Sequence, residues 1–219
     1  AAIFPGENQP RNMLNSMPRP RRCKKKFVLG LTGIFGSGKT TVARMLQSLG
    51  AQVVDADALA HGLLRRGAPA YRQVVAAFGS GFLDARGNID RRKLGRKVFA
   101  HKKSLAKLNG ILHPEIIRMI KSRISASAQP VIVLDAPLLV EAGLQGLAHR
   151  LAVVKISAAR QRERLKIRDG LSPREILLCT KNQIPQSRKI RLADFVIDNS
   201  GLISETKKQV KEMWIKMRR

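Results

Sequence analysis

The segment from Gly33 to Thr40 carries residue types that hold phosphate groups. It fits the spacing G-x4-G-K-[ST], with an apolar strand pattern before it and a helical pattern after it. Glycines in such a turn let successive backbone N–H groups face one anion, and the next helix adds its free N–H groups. Lys39 can then reach the β- and γ-phosphates of ATP, while the Thr40 hydroxyl is placed to ligate Mg²⁺. The predicted nucleotide site consists of Gly33, Ile34, Phe35, Gly36, Ser37, Gly38, Lys39, Thr40 and Thr41.

Three aspartates follow predicted strands. Asp55 and Asp57 come after the apolar run 52–54, and Asp135 follows the run 131–134. In parallel α/β sheets the ligand lies outside the carboxyl ends of the strands, so these carboxylates are expected beside the phosphate loop. Asp57 is the better candidate for orienting an acceptor hydroxyl or taking its proton, and Asp55 is expected to cap or brace. Asp135 is predicted either to ligate Mg²⁺ or to act as a helix cap or loop acceptor, and its spacing favours neither.

Basic residues crowd two predicted helical regions. Arg164 and Arg168 are spaced i, i+4 and share a helix face, where they could clamp the transferring phosphates as a closing lid or form an ordinary solvated surface. A second basic group at 86–103 could face an anionic acceptor, although most of it is expected to be surface. His113, next to apolar residues, is predicted either to donate to a substrate or to be structural.

The elements that must position these residues alternate between strand and helix. Strands are predicted at 27–32, 52–54, 131–134, 151–156 and 195–197. Helices are predicted at 41–49, 158–168, 172–183 and 203–217, and the stretch 58–128 is mostly helical, with breaks at 67–69 and 84–88. The pattern predicts an α/β protein: a three-layer α/β/α P-loop fold around a five-stranded parallel sheet.

Composition limits the class of protein. The 219 residues are 44% hydrophobic, which supplies a core and excludes general disorder. The apolar runs are far shorter than the roughly 20 residues of a membrane span, so no membrane association is expected. Two cysteines without a metal-ligand neighbourhood form neither a disulfide scaffold nor a zinc site. A reducing, cytoplasmic location follows as the simplest expectation.

The chain is strongly basic, with 42 Lys+Arg against 15 Asp+Glu and a net charge of +27. The surplus extends through the body of the chain, so the folded part should attract polyanions, including phosphorylated small molecules. Residues 1–26 contain several prolines and the basic run 19–26. We predict a basic disordered tail there; a nucleic-acid arm or the remnant of a targeting segment are the alternatives.

Several short motifs together resemble the dephospho-CoA kinase family over about residues 27–201. The motifs that carry the resemblance are Gly30-Leu-Thr-Gly33, Gly36-Ser-Gly-Lys-Thr-Thr41, Val54-Asp-Ala-Asp57, Gly67-Ala-Pro69, Asp90-Arg91, His113-Pro114, Pro137-Leu-Leu139 with Glu141, Arg164 with Arg168-Asp169, Gln183, and Val196-Ile-Asp-Asn199-Ser-Gly201. A P-loop alone indicates only a superfamily, whereas this ordered set is specific.

The resemblance implies an enzyme that transfers the γ-phosphate of ATP to the 3′-hydroxyl of dephospho-CoA, with Mg²⁺, in the last step of CoA synthesis. It implies a P-loop kinase domain over 27–219, with a core at 27–57 and 129–219, a helical CoA-binding insertion at 58–128 and a helical lid at about 158–185. The roles it implies are a base or hydroxyl orienter for Asp57, catalytic cations for Lys39, Arg164 and Arg168, acceptor contacts for Arg91, His113, Pro137 and Leu138, and a position near adenine for Asn199.

The chain departs from the family pattern at Ile34, where glycine is common, at Cys179, where arginine is common, and at Lys155, where an acidic residue is common. Two alternatives stay open. A basic P-loop ATPase that binds nucleic acid is suggested by the charge, but seven Phe, one Trp and one Tyr offer no stacking platform. The second alternative is a kinase that phosphorylates another nucleotide-like acceptor. We expect dephospho-CoA as the substrate, no specific nucleic acid, and a monomer or weak homo-oligomer.

Overall fold

The computed structural model describes residues 26–181 and 183–218. The predicted basic tail, except for Lys26, therefore lies outside the described residues. Lys26 itself contacts the folded body, because its Nζ donates to the carbonyl oxygen of Ile124 at 2.7 Å.

The described residues form a five-stranded sheet in the order β2-β3-β1-β4-β5, and every pairing is parallel. The strands are β1 (Phe27–Gly33), β2 (Gln52–Asp55), β3 (Val131–Asp135), β4 (Arg150–Lys155) and β5 (Phe195–Asp198). The central strands are buried along nearly their whole length, which matches their unbroken apolar runs. This arrangement confirms the predicted fold class.

The register of the sheet brings the acidic strand ends together. Asp55 of β2 pairs with Asp135 of β3, and Asp135 pairs with Leu31 of β1 on its other side. The phosphate loop leaves β1 two residues later. The two aspartates and the loop therefore emerge at one edge of the sheet, as the parallel arrangement requires.

Helices cover both faces of the sheet. On one face α1 (Lys39–Ser48) and α9 (Ile203–Met217) pack against alternate strand residues such as Leu29 and Leu31. On the other face Val28, Ile132 and Leu134 join a core that continues into the helical insertion. One core is thus shared between the sheet and the insertion.

The insertion contains α2 (Ala56–Leu63), α3 (Pro69–Phe78), a 3-10 turn (Ser80–Phe82), α4 (Arg91–Ala100) and α5 (Lys102–Ala126). Its first helix begins earlier than the predicted position 58. Asp55 caps α2, with its side chain accepting from the N–H of Ala58. Asp57 consequently lies in the first turn of a helix and not in an extension of β2, while the bracing role predicted for Asp55 matches this cap.

The predicted lid region contains two helices, α6 (Ala158–Asp169) and α7 (Pro173–Thr180). A Ser172–Glu175 capping box starts α7. The predicted helix at 172–183 is too long, since α7 ends at Thr180. A further short helix, α8 (Gln186–Arg191), follows Pro185 and was not predicted.

None of the helices in the described part of the chain combines the length and apolar character that a membrane crossing requires.

Candidate active site

The phosphate loop connects β1 to α1 through two glycines in the left-handed region, Gly36 (φ 76°) and Gly38 (φ 88°). Gly38 is the residue that caps α1, and no side chain bonds to the start of this helix. The first N–H groups of a helix have no partner within it, so they are free to bind an anion.

Neighbouring side chains press closely on these glycines. A Cβ at Gly38 would lie 2.0 Å from Asn199 Nδ2 and 2.8 Å from Arg164 Nη1, and a Cβ at Gly36 would lie 2.9 Å from Leu165. Any larger residue would have to displace side chains or backbone. The loop sequence is therefore fixed by close packing as well as by its φ angles.

Two glutamines and an asparagine hold the loop peptides. Gln161 Nε2 donates to the Phe35 carbonyl at 2.6 Å, and the Phe35 N–H donates to Gln183 Oε1 at 2.8 Å. Asn199 Nδ2 donates to the Ser37 carbonyl at 2.8 Å. Thr206 of α9 donates in turn to Asn199 Oδ1 at 3.0 Å. These bonds fix the backbone of the loop.

Lys39 forms an ion pair with Asp135 inside the cleft. The Asp135 side chain is 9% exposed. Its burial raises the pKa of the carboxyl, an effect that the charge and hydrogen bond of Lys39 oppose. The loop cation is thus held by a carboxylate that lines the same cleft.

Asp57 faces the same cleft from the first turn of α2. Partial burial among the atoms of the cleft raises the pKa of this carboxyl. The charge of Asp55 adds to the rise, and Lys39 and His61 oppose it. A carboxyl with a raised pKa holds a proton more readily, which suits a group that must accept one.

Arg164 and Arg168 reach the cleft from α6. Arg164 Nη2 lies 3.3 Å from the Asn199 carbonyl, and Nη1 lies 3.5 Å from the Ser37 carbonyl. Arg168 is exposed and makes a two-point contact with Asp169 at 2.8 and 2.6 Å. One arginine is docked against the phosphate loop, and the other is held at the rim.

One cleft of about 490 Å³ brings most of the predicted site residues together. Its lining includes Ile34, Phe35, Gly36, Ser37, Gly38, Lys39, Thr40, Thr41, Asp57, Asp135, Pro137, Arg164, Arg168 and Asn199. Gly33 ends β1 directly beneath this loop.

The remaining predicted acceptor residues lie elsewhere. Arg91 lines a second cavity of about 300 Å³ with His61, Arg65 and Asn88. His113 is half-buried within α5, and Leu138 is 40% exposed beside Pro137. The cleft therefore gathers most of the residues predicted to bind the nucleotide, and Arg91, His113 and Leu138, predicted to contact the acceptor, are not in its lining.

The sequence analysis assigned no role to Gln161, Thr206 or Lys189. Gln183 and Glu141 were noted only as motif residues. Thr206 contacts Asn199, seven positions before it. The other four contact segments at least 43 positions away, and the family pattern gave a sign only of Gln183 and Glu141. Lys155, which departs from that pattern, pairs with Asp198 at 2.9 Å.

Comparison with known proteins decides the family. The family model described as dephospho-CoA kinase matches residues 27–205. The dephospho-CoA kinase of Carboxydothermus hydrogenoformans is 44% identical over 186 residues, which cover 84% of this chain and 90% of that protein. The dephospho-CoA kinase of Bacillus licheniformis is 43% identical over 190 residues, 85% of this chain and 94% of that protein. The chain belongs to the dephospho-CoA kinase family.

A solved structure has the same fold. The protein TT1252 from Thermus thermophilus is 32% identical, with a TM-score of 0.80 over 88% of this chain and 98% of that chain. As a dephospho-CoA kinase family member, the chain is a phosphotransferase of CoA biosynthesis that uses ATP. The predicted family and enzyme class are confirmed, and a nucleic-acid-dependent ATPase is not favoured.

Proposed function

We propose that the cleft transfers the γ-phosphate of ATP to the 3′-hydroxyl of dephospho-CoA, with Asp57 and Lys39 as the central residues. The observation that carries this proposal is their placement in one cleft with the phosphate loop and Asp135. A base, a cation and an anion cradle on one site are the parts that phosphoryl transfer to an alcohol requires.

The donor half of the reaction uses the phosphate loop. The loop N–H groups and the start of α1 hold the β- and γ-phosphates, and Lys39 exchanges Asp135 for phosphate oxygens. Arg164, already beside the loop, and Arg168 at the rim supply further positive charge to the transferring group. Asn199 binds the loop by its side chain, and we place adenine near its backbone.

The residues present fit a Mg²⁺ ion shared with the phosphates. Thr40 and Asp135 line the cleft with oxygen donors, the ligand type that Mg²⁺ prefers. The described part of the chain contains no group of three or more His, Cys, Asp or Glu that could hold a metal ion. When bound, the ion neutralises charge on the phosphates.

The acceptor half uses Asp57. Its carboxylate orients the 3′-hydroxyl and takes the proton as the new O–P bond forms and the bond to ADP breaks. Pro137, at the edge of the cleft, and the neighbouring Leu138 are proposed to contact the acceptor, together with Arg91 and His113 of the insertion. The predicted cytoplasmic location and the monomeric or weakly homo-oligomeric state stay predictions.

Acceptor and nucleotide specificity test this proposal. ADP release and the mass of the product are measured with dephospho-CoA, with a nucleoside monophosphate and with RNA, each with MgATP or MgGTP. We expect turnover with dephospho-CoA and ATP and a product heavier by one phosphoryl group. Asp57→Asn should abolish most of it, whereas Glu212→Gln, an exposed carboxylate on α9, should not. Turnover only with another acceptor would contradict the proposed substrate.

A further inference from the structure

Lys189 of α8 is a fully buried lysine, with no exposed surface. Its ammonium donates to the Pro137 carbonyl at 2.6 Å and to Thr32 Oγ1 at 3.3 Å, and it pairs with Glu141 at 2.9 Å. All three donors of this group thus have acceptors. Lys189 is not among the residues that line the cleft.

These contacts join the end of β1 to the segment that follows β3. Thr32 directly precedes the phosphate loop, and its hydroxyl also lies 3.0 Å from the Pro137 carbonyl. Pro137 follows Asp135 by two residues and lines the cleft. The position of its carbonyl is therefore set relative to the base of the phosphate loop by one ammonium and one hydroxyl.

The chain just before Lys189 makes the connection continuous. The Ile184 N–H donates to Glu141 Oε1 at 3.0 Å, and Gln183 holds the phosphate loop at Phe35. Three residues before Lys189, Gln186 bonds both the N–H and the carbonyl of Ile156, at 2.9 and 3.0 Å. Residues 183–189 therefore hold the loop, the segment after β3 and the beginning of the lid at once.

Stability alone gives a weak reason for this arrangement. Removing an ammonium from water is costly, and an apolar side chain of similar volume often gives equal or greater stability at such a position. Only a charged or polar group, however, can fix the direction of a backbone carbonyl. A charged residue at this position therefore points to a requirement for a fixed direction of the Pro137 carbonyl.

We propose that Lys189 is a positioning residue that sets the turn at Pro137 and Leu138 for the acceptor. This inference rests on the proposed function for the identity of the acceptor, but its structural part does not. Lys189 acts through Pro137 and Glu141, and its loss is expected to affect acceptor use more than ATP use.

The test compares Lys189→Met, the double variant Lys189→Met/Glu141→Gln, and Thr32→Val with the wild type. The double variant removes both charges while Gln keeps an acceptor for the Ile184 N–H. Lys155→Met, which breaks an exposed pair at the end of β4, is the matched control. Steady-state constants for each substrate, the melting temperature and hydrogen exchange of the 136–143 peptide are measured.

We expect Lys189→Met to lower the melting temperature and the double variant to regain most of it, since no unpaired charge remains. The KM for dephospho-CoA should stay raised about tenfold or more in the double variant, while the KM for ATP changes by less than about twofold. Exchange in 136–143 should be faster in all three variants and unchanged in Lys155→Met.

Two results would overturn the inference: acceptor use that recovers together with the melting temperature, or equal losses for both substrates. If the lysine variants are too unstable to assay, Thr32→Val by itself tests the inference. We then expect the KM for the acceptor to rise and the KM for ATP to stay unchanged. If the wild type does not phosphorylate dephospho-CoA, the proposed function fails, while exchange in 136–143 still tests the positioning role.

Discussion

The proposed donor side and the proposed acceptor side of the site are built differently. On the donor side the phosphate loop and Lys39 are consecutive in the chain, and their groups already share one cavity. On the acceptor side Arg91 lies on α4 beside a second cavity, and His113 lies on α5. A site built from backbone requires one strand, one turn and one helix, whereas a site built from side chains requires several helices to be placed correctly.

The largest effect is expected from Lys39→Met. The transferring phosphate loses its cation, and Asp135 loses the partner that opposes its raised pKa. We expect kcat/KM for ATP to fall by about 10³-fold, measured by ADP release at saturating acceptor. If only the KM for the acceptor changed, and kcat/KM for ATP did not, the assignment of Lys39 to the donor side would be wrong.

Asp57→Asn is expected to lower kcat by about 10²-fold, because the amide cannot accept the hydroxyl proton. The Kd for ATP, measured by calorimetry, should change little, since the proposed role of Asp57 requires no contact with the phosphate loop. Full turnover in this variant would remove Asp57 from the mechanism.

Arg91→Ala tests the proposed acceptor side of the site. If Arg91 contacts an anionic part of the acceptor, its loss should raise the acceptor KM by about tenfold and leave the ATP KM unchanged. Arg92→Ala, the adjacent exposed arginine, serves as the control. Equal effects from both variants would indicate a general electrostatic attraction.

The smallest expected effect concerns pH. Asp57 must be ionised to act as a base, so kcat/KM is lost as the pH falls through its pKa, and the raised pKa places this loss above the range of an ordinary aspartate. Asp55→Asn removes a charge that raises this pKa but keeps a capping side chain. The acid limb should therefore move to lower pH; a limb that does not move would show that another group controls it.

Local patterns predicted the donor side because its residues and elements are adjacent in the chain. The glycines at 36 and 38, the helix after them and the apolar run of β1 each follow from a short stretch of sequence. Asp57, predicted from its position just after β2, lies in the same cleft. Its place in α2 was not predicted, because the capping bond from Asp55 starts that helix earlier than its apolar pattern indicates.

Residues whose roles depend on distant partners could not be predicted in the same way. Gln161 supports the loop from 126 positions away, and Lys189 reaches Thr32 from 157 positions away. In the sequence, Lys189 lies in a basic stretch and resembles a surface lysine. Only the fold brings three acceptors to its ammonium group. α8 itself, with six residues, is too short for a clear helical period.

The two bonds between Gln186 and Ile156 have a consequence for how the gene can change. They bring the two ends of the segment 157–185 together, because Ile156 precedes it and Gln186 follows it. Inside the segment, Gln161, Arg164 and Gln183 also bond the phosphate loop. A change in length between Gln161 and Gln183 would therefore move the side chains that support the loop, even where both ends still meet at this amide.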